Sequence, residues 1–382
     1  MIKIINVFIL IAIFYFIIYS YKNPLLKYKE YITNCREKKF IIQEYRNEQK
    51  NIFLSICIPA YNMEKYLESA LLSIINQSFR FFEIIIVNDN SSDETSNIIR
   101  RMQLKDKRIK CFNHLKNLGV YASRADAILN AKGKYILLMD PDDLLLNQNL
   151  FRELYSYNIK LRLDIIEFLV YHQTEGKDKI IIPKDQKLSH FHNYNKNIIE
   201  QPELSELIYF LPNTKTYSSI ICRTIWNKLI RNNIMKKSIE YLNNDYFKNQ
   251  FLIAADDTPL NILSFQFANN YSNINIPGYL YNLREDGMSS DNKGNIKHDI
   301  ILSYNFLLYF KFFHKYVSKF NKDINFFLYD FRPFSVYLLK LKDLNATQFI
   351  PSAIKFYKHI LKHNMQEDFR KYILGLISYF SK

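Results

Sequence analysis

Residues 134–143 read Lys-Tyr-Ile-Leu-Leu-Met-Asp-Pro-Asp-Asp. Five apolar residues run directly into three carboxylates set around a proline. An apolar run of this length fits a strand buried on both faces. Carboxylates crowded at one strand end repel one another, so an unpaired cluster is costly. A divalent cation would relieve the repulsion. Oxygen ligands suit Mg2+ or Mn2+, which would bridge to substrate phosphates. The plainer alternative is an acidic turn capping the next helix, with Asp143 as the N-cap.

Working outward, Gly133 stops a helix expected over about Val120–Ala131. Before it, Phe53–Ala60 reads as a buried strand ending in Tyr61-Asn62, and Glu64–Ile75 as an amphipathic helix with Leu67, Leu71 and Ile75 on one face. Phe82–Val87 is a second buried strand, ending in Asn88-Asp89-Asn90-Ser91-Ser92-Asp93 before a helix over Glu94–Met102. Ile109–Phe112 is a short third strand. Strands alternating with helices imply right-handed crossovers and a mainly parallel sheet. Ligands gather outside the carboxyl ends of such strands. The three most polar turns, after Ile58, Val87 and Met139, all lie there.

Four segments in order carry a family resemblance: Ser-Ile-Cys-Ile-Pro-Ala-Tyr-Asn from Ser55, Glu-Ile-Ile-Ile-Val-Asn-Asp-Asn-Ser-Ser-Asp-Glu-Thr from Glu83, Asn-Leu-Gly-Val-Tyr-Ala-Ser-Arg from Asn117, and Met-Asp-Pro-Asp-Asp from Met139. Together they resemble the family 2 glycosyltransferases, inverting enzymes of GT-A fold. The resemblance is strong over about residues 53–145 and traceable to about 291. It implies an α/β architecture, a GT-A (Rossmann-like) mainly parallel sheet flanked by helices. It also implies a nucleotide-diphosphate sugar as donor, a glycan or lipid-linked acceptor and a divalent metal. By position, Pro59, Ala60 and Tyr61 match the turn that packs on the donor's base and ribose, with Glu64 just behind it. Asp89 matches the carboxylate that accepts a hydrogen bond from the base, and Arg124 an arginine near the nucleotide. Asp140 and Asp142 match the Asp-x-Asp motif, Asp142 as the direct metal ligand, Asp140 nearer ribose and metal, and Asp143 as a helper. Asn90 stands where the family usually has Gly, and Asn tolerates left-handed backbone. Ala125 and Ala127 stand where Asn and Gly are usual, which puts the detail around Arg124 in question.

Transfer to a hydroxyl needs a general base within hydrogen-bond reach. Ala-Ala-Asp-Asp-Thr-Pro-Leu-Asn from Ala254 resembles the family's Glu-Asp motif, with Asp256 in place of Glu. By that match Asp257 is the base and Asp256 its supporting neighbour. Capping of a helix over Thr258–Ala268, with Pro259 in its first turn, is the alternative. Trp-Asn-Lys-Leu at 226–229 resembles a segment of the acceptor half. Trp226, the only Trp, reads as a sugar platform or as a core residue. Tyr279–Arg284 followed by Ser289 resembles a Tyr-x-x-Arg…Ser stretch, in which Arg284 would meet the diphosphate.

Ile4–Tyr21 is almost wholly apolar. Eighteen residues at 1.5 Å rise span roughly 27 Å, close to the hydrocarbon thickness, so a retained single-pass membrane anchor is expected. Its bulky end, Tyr19 and Tyr21, lacks a small-residue cleavage site. Basic residues after it, Lys22 to Lys39, favour a cytoplasmic domain. So does Asn90-Ser91-Ser92, an acceptor sequence for a glycan that would block the donor loop. Many anchored glycosyltransferases face a lumen instead, and both orientations stay open. The organisation expected is residues 1–21 as anchor, 22–50 as stalk, 51–150 as nucleotide-sugar half, 151–291 as acceptor half and 292–382 as a helical C-terminal region. Within that region, an aromatic helix over Ile300–Phe320 reads as packed on the domain or laid on a membrane.

Over the 382 residues, 48% hydrophobic content supplies a core, and a net charge of +15 attracts phosphates, acidic lipids or nucleic acid. No nucleic-acid motif accompanies the charge, so nucleic acid is not an expected partner. Four cysteines with no Cys-x-x-Cys pair exclude the usual zinc frameworks. Absence of Gly over Ile56–Tyr66 argues against a nucleotidyltransferase phosphate loop. The alternative from another class is a non-catalytic, membrane-anchored sugar-binding or assembly protein of GT-A fold. Oligomeric state is not legible.

Overall fold

The computed structural model describes residues 52–176, 180–181, 198–201, 204, 224–245, 247–248, 250–252 and 257–284. Beyond these it describes the single positions Leu308, Phe312, Tyr316, Lys358, Lys371, Leu374 and Ser378. The expected anchor and stalk, Asp256, and most of the 177–200 and 292–382 segments lie outside the described residues. No helix among the described residues is long and apolar enough to cross a membrane.

The chain from Ile52 onward forms one compact unit. Its elements are β1 (Leu54–Ala60), α1 (Leu67–Ile75), β2 (Phe82–Asn88), α2 (Thr95–Lys105), β3 (Ile109–Asn113), α3 (Val120–Asn130), β4 (Tyr135–Leu138) and β5 (Leu144–Leu145). They continue with α4 (Leu150–Leu161), β6 (Ile165–Thr174), β7 (Ile180–Ile181), β8 (Ile199–Glu200), β9 (Lys228–Arg231), α5 (Asn232–Asp245), α6 (Asp257–Phe267) and β10 (Asn270–Leu283). The strands share one sheet in the order β3-β2-β1-β4-β9-β6-β10-β5, with β7 on β6 and β8 on β10.

Strands β3, β2, β1 and β4 are parallel, as the apolar runs and intervening helices require. All seven residues of β1 and of β2 are buried. Helix α3 packs on β1 and β2, and α1 packs on α2. The sheet is mixed rather than uniformly parallel, because β9 runs antiparallel to both β4 and β6. Strand β10 is parallel to β6 and continues it past a bulge at Pro277. The reversal at β9 joins the two halves edge to edge in a single sheet, so the carboxyl ends of β4, β6 and β10 open on the same side.

Two boundaries differ from the sequence pattern. Helix α1 begins at Leu67, not Glu64; ahead of it the backbone N–H groups of Asn62, Met63 and Glu64 donate to the Ser91, Thr95 and Asp93 side chains. Those bonds tie the segment to the neighbouring loop. Gly133 does more than end a helix: a Cβ there would meet the Ser55 nitrogen at 2.6 Å. Of the expected aromatic C-terminal helix, Leu308, Phe312 and Tyr316 are buried. Tyr316 donates to Gln266 Oε1 at 2.9 Å, so at these described positions it packs on the domain.

Candidate active site

The loops after β1 and β2 form a reciprocal zipper. Asn62 N and Met63 N donate to Ser91 Oγ and Thr95 Oγ1, while Ser92 N donates to Asn62 Oδ1. Glu64 N donates to Asp93 Oδ2, and Glu64 Oε2 accepts from Glu94 N at 3.0 Å. Glu64 thus satisfies a backbone donor at the start of α2, an orphan that every helix N-terminus leaves. Asn62 and Asn90 adopt φ of 53° and 61°, left-handed conformations that Asn accepts in place of Gly. Pro59 and Ala60 are buried in the end of β1, and Tyr61 stands at the mouth, 45% exposed.

Asp89 closes the next loop. Its Oδ1 lies 2.7 Å from His114 Nδ1 and accepts from Leu118 N at 2.8 Å, and its Oδ2 accepts from Gly119 N at 2.8 Å. A carboxylate offers about four acceptor positions, and these contacts use three of them in a buried setting. Gly119, at φ 92° and ψ 164°, begins α3. A Cβ there would sit 2.5 Å from the Leu252 carbonyl oxygen, so the position requires glycine. His114 belongs to no motif in the sequence, yet its Nε2 lies 3.0 Å from Asp126 Oδ2. Burial alone would lower its pKa, but hydrogen bonds to Asp89 and Asp126 outweigh burial and raise it.

The acidic loop after β4 is held by strand β10. Tyr279 hydroxyl donates to Asp143 Oδ2 at 2.7 Å and accepts from Asp140 N at 3.1 Å, and Asn282 N donates to Asp143 Oδ1 at 2.8 Å. Asp143 is fully buried, with both oxygens engaged, so it ties the loop to the sheet. Burial and the neighbouring Asp140 and Asp142 charges push its carboxyl well above the usual range. Trp226 is 7% exposed and stacks on Tyr279 and Tyr281, with ring centroids 4.8 and 5.2 Å away. Of the two readings of this residue, burial selects the core one.

Asp142 forms an ion pair with Arg284 at 2.7 Å. The Arg284 guanidinium lies 4.8 Å from the centre of the Tyr66 ring, and Tyr66 hydroxyl donates to Glu175 at 3.0 Å. Burial and the Asp140 charge push the Asp142 carboxyl up to about 6 in spite of Arg284.

Arg124 joins the two halves. From α3, with 6% exposure, it places NH2 2.7 Å from Asp140 Oδ1 and NH1 2.5 Å from Asp257 Oδ1. Asp257 is the first residue of α6 and comes from the far half of the chain. Sequence matching puts Arg124 beside the nucleotide. The structure adds that it clasps the acidic loop and the base candidate together.

This network holds four carboxylates (Asp140, Asp142, Asp143 and Asp257) against two guanidiniums, Arg124 and Arg284. Among the described residues no group of three or more metal-ligating side chains gathers. Mg2+-type sites use one or two carboxylates and complete the shell with water and substrate phosphates, and Asp140 and Asp142 fit that pattern. Among the cysteines, Cys57 is buried and its thiol pKa is raised by burial, as an inert core thiol requires.

A mixed α/β sheet with acidic loops at its carboxyl ends places the chain in the α/β class whose polar site lies outside the strand ends. The sequence profile of glycosyl transferase family 2 matches residues 55–238. A glycosyltransferase of Methanocaldococcus jannaschii is 31% identical over 202 residues, covering 52% of this chain and 68% of that protein. The chain belongs to glycosyl transferase family 2. A Campylobacter jejuni protein, GalNAc(5)-diNAcBac-PP-undecaprenol beta-1,3-glucosyltransferase, is 38% identical over 95 residues, 25% of this chain and 31% of its own length. Other curated glycosyltransferases match over 31% to 60% of their own lengths. The structure of Staphylococcus aureus TarS 1–349 with UDP-GlcNAc superposes with a TM-score of 0.55 at 19% identity, over 86% of this chain and 89% of that one, so the fold is shared.

Proposed function

We propose that this protein is a glycosyltransferase that moves a sugar from a nucleotide-diphosphate donor to an acceptor hydroxyl, with inversion, and depends on Mn2+ or Mg2+. The observation that carries the reading is the Arg124 clasp, which brings Asp140 of the acidic loop and Asp257 of the second half into one charge cluster. Asp140 and Asp142 would hold the cation. When bound, it stabilises the charge on the departing diphosphate as a Lewis acid, without a proton. Asp89, Pro59, Ala60 and Tyr61 would receive the base and ribose. Arg284 pairs with Asp142 and sits where it can turn to phosphate oxygens, which guanidinium recognises well.

In this reading Asp257 accepts the proton of the acceptor hydroxyl as the hydroxyl oxygen bonds to the anomeric carbon. The bond from that carbon to the diphosphate oxygen breaks, and its electron pair leaves with the nucleoside diphosphate. The UDP-GlcNAc bound by the similar S. aureus structure makes UDP-GlcNAc the first donor to test. The undecaprenol-linked acceptor in the C. jejuni relative's name supports a glycan or lipid-linked acceptor. The apolar run Ile4–Tyr21 would hold the enzyme at the bilayer where such an acceptor resides.

The test is a thermal-shift screen of UDP-GlcNAc, UDP-glucose, GDP-mannose and dTDP-rhamnose, each with and without Mn2+. A ligand that binds only the folded state raises its melting temperature, by about 2.7 kcal/mol of stability at a hundredfold excess over Kd. One of the four should stabilise the protein, and more strongly with the metal. No shift with any of them, with or without Mn2+, contradicts the proposal.

A further inference from the structure

Lys228 has no solvent exposure, and it stands apart from the carboxylates of the site. A buried ammonium is costly unless it is paired and hydrogen-bonded. Its Nζ donates to the Thr224 carbonyl oxygen at 2.6 Å and to Asn227 Oδ1 at 3.0 Å, and it lies 3.5 Å from Glu167 Oε1. Asn227 in turn donates to Glu167 and to the Phe168 carbonyl, and Tyr271 hydroxyl donates to Glu167. This fixes the turn before β9 against β6.

The same Thr224 carbonyl accepts a second hydrogen bond, from Asn261 Nδ2 at 2.9 Å. Asn261 lies four residues after Asp257 on α6, so the two side chains leave the same helix face. In the same short segment, Trp226 stacks on Tyr279, the residue that holds Asp140 and Asp143. Residues 224–228 therefore touch the support of the acidic loop and the helix of the base at once.

We propose that Lys228 is a positioning residue: by fixing the Thr224 carbonyl it seats α6 and sets the distance between Asp257 and the acidic loop. The inference rests on Asp257 being the base. Lys228 touches no reactant in this arrangement and acts through its neighbours, the Thr224 carbonyl oxygen, Asn227 and Glu167.

The test is Lys228→Met in the full chain, with UDP-GlcNAc as donor or whichever of the four nucleotide sugars the screen above selects. Methionine preserves volume, and Asn227 and Tyr271 still donate to Glu167, but removing one partner of a buried pair costs stability, so a lowered melting temperature is expected. The folded variant should keep the parent's KM for donor within about twofold and lose about 10- to 100-fold in kcat, the scale of a misplacement near 1 Å. Asn261→Leu removes the second bond to the same carbonyl and should give the same split. The double variant should lose no more than the worse single one. A parent-like kcat in folded Lys228→Met overturns the proposal. So does a fall of kcat and donor affinity together, in step with melting temperature. If Lys228→Met does not fold, Asn261→Leu decides alone: a kcat loss at constant KM supports the proposal and a parent-like kcat overturns it. Asp257→Asn, measured alongside, separates the two readings, since full activity there refutes the base itself rather than its positioning.

Discussion

Replacing Arg124 by Met removes a side chain that faces Asp140 and Asp257 together. Oxygens held by the two terminal nitrogens of one guanidinium lie within roughly 5–7 Å of each other. At an effective dielectric near 20, two unit charges at about 6 Å repel by about 3 kcal/mol. The Asp140 and Asp257 side chains are 24% and 25% exposed, so water screens part of this. Breaking a buried pair by removing one partner costs about 3–5 kcal/mol, and a loss of about 2–4 kcal/mol fits this half-screened site. At roughly 1.5 °C per kcal/mol for a folded unit of this size, the melting temperature should fall by about 3–6 °C. Donor turnover should fall as well, because the base and the acidic loop lose their common anchor. Arg124→Lys keeps the charge without the two-pronged geometry and should recover part of the stability but little turnover. Differential scanning calorimetry and donor-turnover kinetics read both quantities. A folded Arg124→Met protein with the parent's melting temperature and kcat would refute the reasoning.

Other outcomes follow from single contacts. The His114 pKa is raised in the folded state above its ordinary 6.5 by the facing carboxylates of Asp89 and Asp126. Its contribution to stability is therefore complete below pH 6.5 and disappears as pH rises through the folded-state value. His114→Gln should flatten that part of the stability–pH profile in urea unfolding, and an unchanged profile would refute the assignment. Gly119→Ala forces a Cβ into a backbone region open essentially only to glycine, at a cost of order 1–3 kcal/mol before the clash with Leu252 is added. It should lower the melting temperature and weaken donor binding through the Asp89 loop. Tyr279→Phe removes the hydroxyl that bonds both Asp143 and Asp140 N, leaving a buried carboxylate short of a donor. It should destabilise the fold by about 1–3 kcal/mol in the same unfolding assay.

Much of the donor half is legible in sequence because its signals are local. Each parallel strand is a short apolar run, and each polar turn follows its strand directly, so Asp89, Asp140 and Asp142 fall at carboxyl ends by inspection. What is not legible depends on partners distant in the chain. Asp143 reads as a metal helper or a cap, and no local pattern shows that Tyr279 and Asn282, more than 130 residues away, hold it. The expected helix start at Glu64 lies three residues early, in a segment tied to the loop around position 93 by side-chain bonds that no local pattern shows. Strand β9 has four residues with a charged one at each end, no alternation and no apolar run, so neither its existence nor its direction shows in the pattern. His114 carries no motif at all; its role exists only through the fold that brings Asp89 and Asp126 to its two nitrogens. Trp226 was open to two readings because an aromatic ring serves a core and a sugar equally well, and only its burial separates them.

The central claim is that the acidic loop and the head of α6 serve one reaction in one pocket. Isothermal titration of the selected nucleotide sugar with Mn2+, paired with turnover, tests it in two variants. Asp142→Asn should lose the metal-dependent part of binding and all turnover. Asp257→Asn should bind donor as the parent does and lose about 10²- to 10⁴-fold in kcat, the usual contribution of a general base. Parent-like binding and turnover in both variants would contradict the account.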